Sequence, residues 1–132
     1  MVACQKDQAR LESGASMNET WHCLIQESEF PDEGKLATKV NGWHVLVAKT
    51  EEGLFAVNDR CTHQAAILSS GRIRRGAIMC ALHGARFEVE TGRCIGGAYK
   101  DLRVFPLRVE NGMIEVSVPV EQPGMDELPI TL

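Results

Sequence analysis

The chain has 132 residues, enough for one domain with a moderate core. Its 14 Lys and Arg against 18 Asp and Glu give a formal net charge of −4, and the basic residues are scattered along the sequence, which excludes the clustered basic footprint of a nucleic-acid binder. Apolar runs are too short for a membrane-spanning helix, and the N-terminal MVACQKDQARLESGAS lacks the apolar stretch of a signal peptide, so no membrane association and a cytoplasmic location are expected.

Residues 1–18 are polar and aperiodic and read as a flexible N-terminal tail. A first strand is predicted over Trp21–Gln26, then a polar loop through Glu29-Phe30-Pro31-Asp32-Glu33-Gly34. Lys35–Val40 and Trp43–Lys49 flank Asn41-Gly42, the signature of a hairpin with a type I′ turn. Glu51-Glu52-Gly53 turns the chain again into a strand over Leu54–Asn58. Short strands joined by tight turns indicate an antiparallel, all-β fold. Arg72–Arg75 reads as a solvated basic turn that could pair with acids on a partner, as could Arg86, and Ala77-Ile78-Met79 as a short apolar strand. Phe87 and Val89 alternate with Glu88 and Glu90, and Thr91-Gly92 turns. Glu88, Glu90 and Asp101 are expected on the wet face of strands. A final hairpin is predicted from Leu102–Glu110, Asn111-Gly112 and Met113–Val118, leaving 119–132 as a proline-containing C-terminal tail.

The residues that carry chemistry are Cys61-Thr62-His63 and Cys80-Ala81-Leu82-His83, a C-x-H-x16-C-x2-H pattern. Two thiolates and two imidazoles suit a diiron cluster with unlike irons, sulfur holding the inner one and nitrogen the outer one. The other cysteines, Cys4, Cys23 and Cys94, are an odd number in a chain with no leader and read as free thiols of a reducing compartment. His22 and His44 fall in predicted strands before the motif, and Trp21 and Trp43 read as strand-face packing.

The stretches CTHQAAILSSG and CALHGARFEVETG make the chain resemble the Rieske ferredoxins that feed electrons to bacterial ring-hydroxylating dioxygenases, from about Trp21 to Val118. The resemblance implies a Rieske fold over 19–118, an antiparallel β-sandwich base with a small cluster-binding subdomain at about residues 60–98. It implies one [2Fe–2S] cluster on Cys61, His63, Cys80 and His83, with the histidines at the protein tip and no catalytic residues. It also implies two partners, a flavin-containing ferredoxin reductase and a terminal oxygenase. An exposed imidazole N–H would make the midpoint potential fall with pH above neutrality. Gly84, after His83, would let backbone N–H groups approach the cluster sulfurs, whereas Gly71 reads as a turn glycine.

Departures from the family pattern bear on potential. High-potential members carry a serine and a tyrosine that donate hydrogen bonds toward the cluster; Ala85 and Phe87 stand there. The disulfide between the cluster loops of those proteins has Ala66 and Leu82 in its place, and Ala81 replaces a proline. The expectation is a low-potential centre, near the about −150 mV end of the Rieske range. The third loop, Cys94-Ile95-Gly96-Gly97-Ala98-Tyr99-Lys100, has two glycines where the family has a Pro-Ala-rich lid.

No Gly-rich dinucleotide fingerprint is present, and no histidine follows the motif to build a mononuclear iron site. Two other functions compete: the small Rieske subunit of a nitrite-reductase-like enzyme, and a structural Cys₂His₂ zinc module. The C-x-H pair is tighter than zinc-finger spacing and nothing helical follows it, which disfavours zinc.

Overall fold

The computed structural model describes residues 19–62, 65–81, 84–97 and 99–129. Among these the strands are β1 (Glu19–Gln26), β2 (Lys35–Val40), β3 (Trp43–Thr50), β4 (Gly53–Asn58), β5 (Arg72–Arg74), β6 (Ala77–Met79), β7 (Arg86–Glu88), β8 (Val104–Phe105), β9 (Leu107–Glu110) and β10 (Met113–Pro119). Among the described residues, helical structure is confined to three single 3-10 turns, and no helix is long and apolar enough to cross a membrane.

The strands form three antiparallel sheets: β1-β10-β9, β2-β3-β4-β8 and β5-β6-β7. The four-stranded sheet is the middle layer. Alternate side chains of a strand point to opposite faces, and β3 buries both. Trp43, Val45 and Val47 pack with Ile114, Val116 and Val118 of the β1-β10-β9 sheet. Leu46 and Ala48 join Ile78 and Phe87 of the β5-β6-β7 sheet. This two-sided burial explains why β3 reads as a nearly continuous apolar run rather than a clean alternation.

Three two-residue turns close hairpins: Asn41-Gly42, Arg75-Gly76 and Asn111-Gly112, with both residues at positive φ, as a type I′ turn requires. The two Asn-Gly hairpins match the sequence expectation. The third does not. Arg72–Arg74 is a strand paired with Ala77–Met79, and the turn is Arg75-Gly76 alone. A three-residue strand is too short to display a period of two.

The predicted strand Leu102–Glu110 is also split. Val104–Phe105 pairs with β4 in the middle sheet, and Leu107–Glu110 pairs with β10 in the neighbouring one. Pro106 lies at the break; it offers no N–H to a ladder, but its carbonyl accepts from Ser117 N at 2.9 Å. The chain thus changes sheets at a proline.

Cation–ring contacts fasten the base. Arg108 lies 4.1 Å from the Trp21 ring centroid while its Nε donates to the buried Glu115 at 2.8 Å. Arg103 stacks 4.8 Å from the centroid of Trp43 and pairs with Glu127 at 2.7 Å. The segment after β10 drapes over this region. Trp43 Nε1 donates to the Glu121 carbonyl, Asn58 Nδ2 to that of Glu127, and Arg60 Nε to that of Leu128.

Candidate metal centre

Cys61 follows the end of β4 by three residues, and Cys80 follows β6 directly. Both are buried, at 1% and 2% exposure, and both belong to one apolar cluster with Leu46, Val57, Leu68 and Phe87. His63 and His83, the expected nitrogen ligands, lie outside the described residues, as does Leu82.

The backbone closes both loops in the same way. Cys61 N donates to Ala66 O at 2.8 Å and Ala65 N to Cys61 O at 2.8 Å. Cys80 N donates to Ala85 O at 2.7 Å and Gly84 N to Cys80 O at 3.0 Å. The residue four after each cysteine is left-handed, Ala65 at φ 62° and Gly84 at φ 78°. A Cβ on Gly84 would meet nothing within 4 Å, so its glycine answers to backbone conformation. Gly71 behaves differently from the expected turn glycine. Its φ is −90°, and a Cβ there would stand 1.8 Å from Met79 O, so it is required by the close approach of two backbones.

Side chains that the sequence did not single out brace the first loop. Buried Asp59 accepts from Ser69 N at 2.7 Å. Lys35, from β2, donates to the carbonyls of Ser69 and Gly71. Thr62 Oγ1 donates to Lys100 O at 2.6 Å, joining the first loop to the third. Asp101 lies outside the strands and closes that third loop by accepting from Cys94 N at 3.0 Å. Glu90 is likewise in a turn rather than a strand, and Glu88, on β7, pairs with Arg93 at 2.8 Å. That guanidinium, together with the Thr91 hydroxyl, holds the Glu88 carboxyl below its ordinary pKa of 4.5.

A family model for the Rieske [2Fe-2S] domain matches residues 20–106, about two-thirds of the chain. The chain belongs to the Rieske [2Fe–2S] domain family. Its centre is therefore one Rieske-type [2Fe–2S] cluster. The donors present fit it: two buried thiols, on loops of matching closure, in an apolar shell suited to the sulfur-held iron. Beside this Rieske domain stands the anthranilate 1,2-dioxygenase ferredoxin subunit of Burkholderia cepacia. It is 32% identical over 100 residues, 74% of this chain and 92% of the relative. The fold is similar to a chain in the complex of reduced oxygenase and oxidized ferredoxin in carbazole 1,9a-dioxygenase. That match has TM-score 0.65 and 27% identity, and covers 71% of this chain and 98% of the other. A putative NADH-dependent nitrite reductase small subunit from Mycobacterium tuberculosis shares the fold at TM-score 0.68 and 19% identity, over 76% of this chain and 96% of the other.

Ala85 and Phe87 are both buried, Phe87 completely. Phe87 packs in the core shared by Cys61, Cys80 and Cys94, and β7 is bridged to the third loop through Phe87 and Cys94. Neither side chain can donate a hydrogen bond.

Proposed function

We propose that this Rieske protein is a ferredoxin, a one-electron carrier and not a catalyst, serving a ring-hydroxylating oxygenase system. A flavin-containing NAD(P)H reductase loads it, and the Rieske centre of a terminal oxygenase unloads it, in the cytoplasm. The observation that carries this is the span of the match: the chain covers 92% of a relative that is itself a dioxygenase ferredoxin subunit. The likeness to the nitrite reductase small subunit, at 19% identity, is one of fold.

Cys61 and Cys80 are assigned the inner iron, and His63 and His83 the outer. The cluster supplies a reversible one-electron store, with the electron favoured on the nitrogen-ligated iron. The chain's own residues do the rest. Leu46, Val57, Leu68 and Phe87 keep water from the two thiolates. Asp59, Lys35 and Thr62 fix the first loop, and the β6–β7 ladder fixes the second. A rigid surround keeps reorganisation small when charge arrives. With Ala85 and Phe87 giving no hydroxyl to the cluster, the potential is low, in the region of about −150 mV.

The test is direct. Purified protein should contain iron and acid-labile sulfide in equal amounts, be red-brown, and give a Rieske EPR signal on reduction. Mixed with a dioxygenase-system reductase, NADH and a terminal oxygenase, it should restore ring hydroxylation. Colourless protein containing zinc, or stable co-purification with a large nitrite-reducing subunit, would overturn the proposal.

A further inference from the structure

The β5-β6-β7 sheet buries Ile78 and Phe87 on its inner face, with Ile73 half-buried beside them. Its outer face carries a groove of about 410 Å³. Arg72, Arg74, Arg75 and Arg86 line it together with the apolar Ala77, Met79 and Ile95. Register explains the convergence: Arg72 pairs with Met79, and Met79 with Arg86, in one row across three strands. Neighbouring strands lie roughly 4.8 Å apart, so these two arginines flank the methionine about 10 Å from each other. Ile95 is carried in by the third loop, whose Ile95 N donates to Arg86 O at 2.9 Å.

All four arginines are exposed, and none has a side-chain hydrogen bond or ion pair among the described residues. The acid on the same face, Glu88, is engaged by Arg93 and Thr91. So the fold gathers four of the chain's 14 basic side chains on one small sheet of a protein whose net charge is −4. Four exposed like charges beside apolar lining residues make a local positive field that attracts an anionic surface. Guanidinium forks match carboxylates in bidentate geometry. Met79 and Ile95 offer apolar surface in the lining for an apolar anchor, methionine being adaptable in such contacts.

We propose that this groove docks a carboxylate-rich patch, bearing an apolar anchor, on the surface of an electron-transfer partner. This rests on the ferredoxin reading above and extends it to the flank of the tip. Met79 immediately precedes Cys80, and Arg86 follows Gly84 and Ala85. A partner held in the groove is therefore held beside the second ligand loop. The like charge of the rest of the molecule repels the same acidic partner elsewhere, which orients the encounter.

The test compares holoprotein with Arg72→Glu/Arg74→Glu and with Arg86→Ala. Dissociation constants for the reductase and the terminal oxygenase are measured by calorimetry from low to high salt, and electron transfer by stopped flow. The double variant should bind one of the two partners weaker by about tenfold or more, with a flatter salt dependence. Arg86→Ala should show a smaller loss in the same direction. Midpoint potential and EPR spectrum should be unchanged in both, which a disturbed cluster loop would not allow. In wild type, NMR shifts on titration with poly-L-glutamate should centre on Arg72, Arg74, Met79, Arg86 and Ile95. Unchanged binding to both partners, while wild type still passes electrons, removes the groove and leaves the ferredoxin reading intact. Failure of wild type to pass electrons removes that reading and the groove's partner with it. Salt-sensitive capture of duplex DNA at the groove, with no effect on either redox partner, overturns the proposal in favour of a phosphate backbone.

Discussion

The two loops that present Cys61 and Cys80 share a backbone closure and differ in what holds them. The second loop is the connection of a hairpin: Met79 and Arg86 pair at its base, and the ladder fixes both ends. Its left-handed position is filled by Gly84, which adopts that conformation freely. The first loop has no such ladder. It leaves the middle sheet after Asn58 and runs into the 3-10 turn at Leu68–Ser70. Its left-handed residue is Ala65, which costs roughly 1–2 kcal/mol. Asp59, Lys35 and Thr62 do from outside what strand pairing does for its twin. The same local geometry is thus reached once by secondary structure and once by side-chain bracing.

That contrast can be broken at four levels. The largest effect belongs to the cysteines, where the loops should be equal. Cys61→Ser and Cys80→Ala should each abolish iron and acid-labile sulfide content and the visible absorbance. Retention of a full cluster by either one would end the equivalence of the loops. Next, Asp59→Ala should destabilise the first loop alone. Ser69 N is half-buried, so removing its acceptor costs about 1 kcal/mol, the low end of the range for an unsatisfied donor. Faster amide exchange should follow at Ser69, with no change at Gly84; equal acceleration in both loops would show that the bracing is shared.

Third, Gly84→Ala should lower stability by roughly 1 kcal/mol, since its Cβ meets open space and only the dihedral is strained. Ala65→Gly should be neutral or slightly stabilising, and thermal unfolding of the holoprotein reads both. A loss on Ala65→Gly exceeding that on Gly84→Ala would mean the alanine methyl is needed for packing. The smallest effect concerns the surface turn after β7. The Arg93 guanidinium and the Thr91 hydroxyl favour ionised Glu88, so its contribution is present above the ordinary pKa of 4.5 and disappears as pH falls through the depressed folded value. An NMR titration should place the Glu88 carboxyl midpoint below 4.5, and Arg93→Ala should return it toward that value.

Potential offers a separate comparison, between this chain and a hydroxyl-bearing variant. Ala85→Ser or Phe87→Tyr, if the new hydroxyl donates toward the cluster, should raise the midpoint. A hydrogen bond to a charged acceptor is worth about 1.5–3 kcal/mol. For one electron that is on the order of 60–130 mV. Film voltammetry would read it.

Much of this was legible in the sequence. The Asn-Gly turns located two hairpins, because asparagine followed by glycine is the pair that tolerates two positive φ values. The spacing of Cys61, His63, Cys80 and His83 pointed to the cluster because few patterns alternate thiolate and imidazole so closely. Other features left no local trace. Ala65 is left-handed without being glycine or asparagine, so nothing in its chemistry announces that conformation, and the basic turn expected over Arg72–Arg75 narrows to Arg75-Gly76. The run through Leu102–Glu110 alternates well enough to pass for one strand, and only pairing partners in three dimensions divide it at Pro106. Asp101 was expected on the wet face of a strand, and Asp59 carried no signal at all; their acceptor roles are set by residues seven and more positions away. The sequence suggested separate partner roles for Arg72–Arg75 and for Arg86, and strand register makes them neighbours.

Both tryptophans, Trp21 and Trp43, sit in the base strands under arginine side chains, away from the β5-β6-β7 sheet. Indole emission therefore reports on the supporting layers, while visible colour reports on the iron. Heating one sample and recording both signals separates bleaching of the prosthetic group from melting of its scaffold, with no label attached.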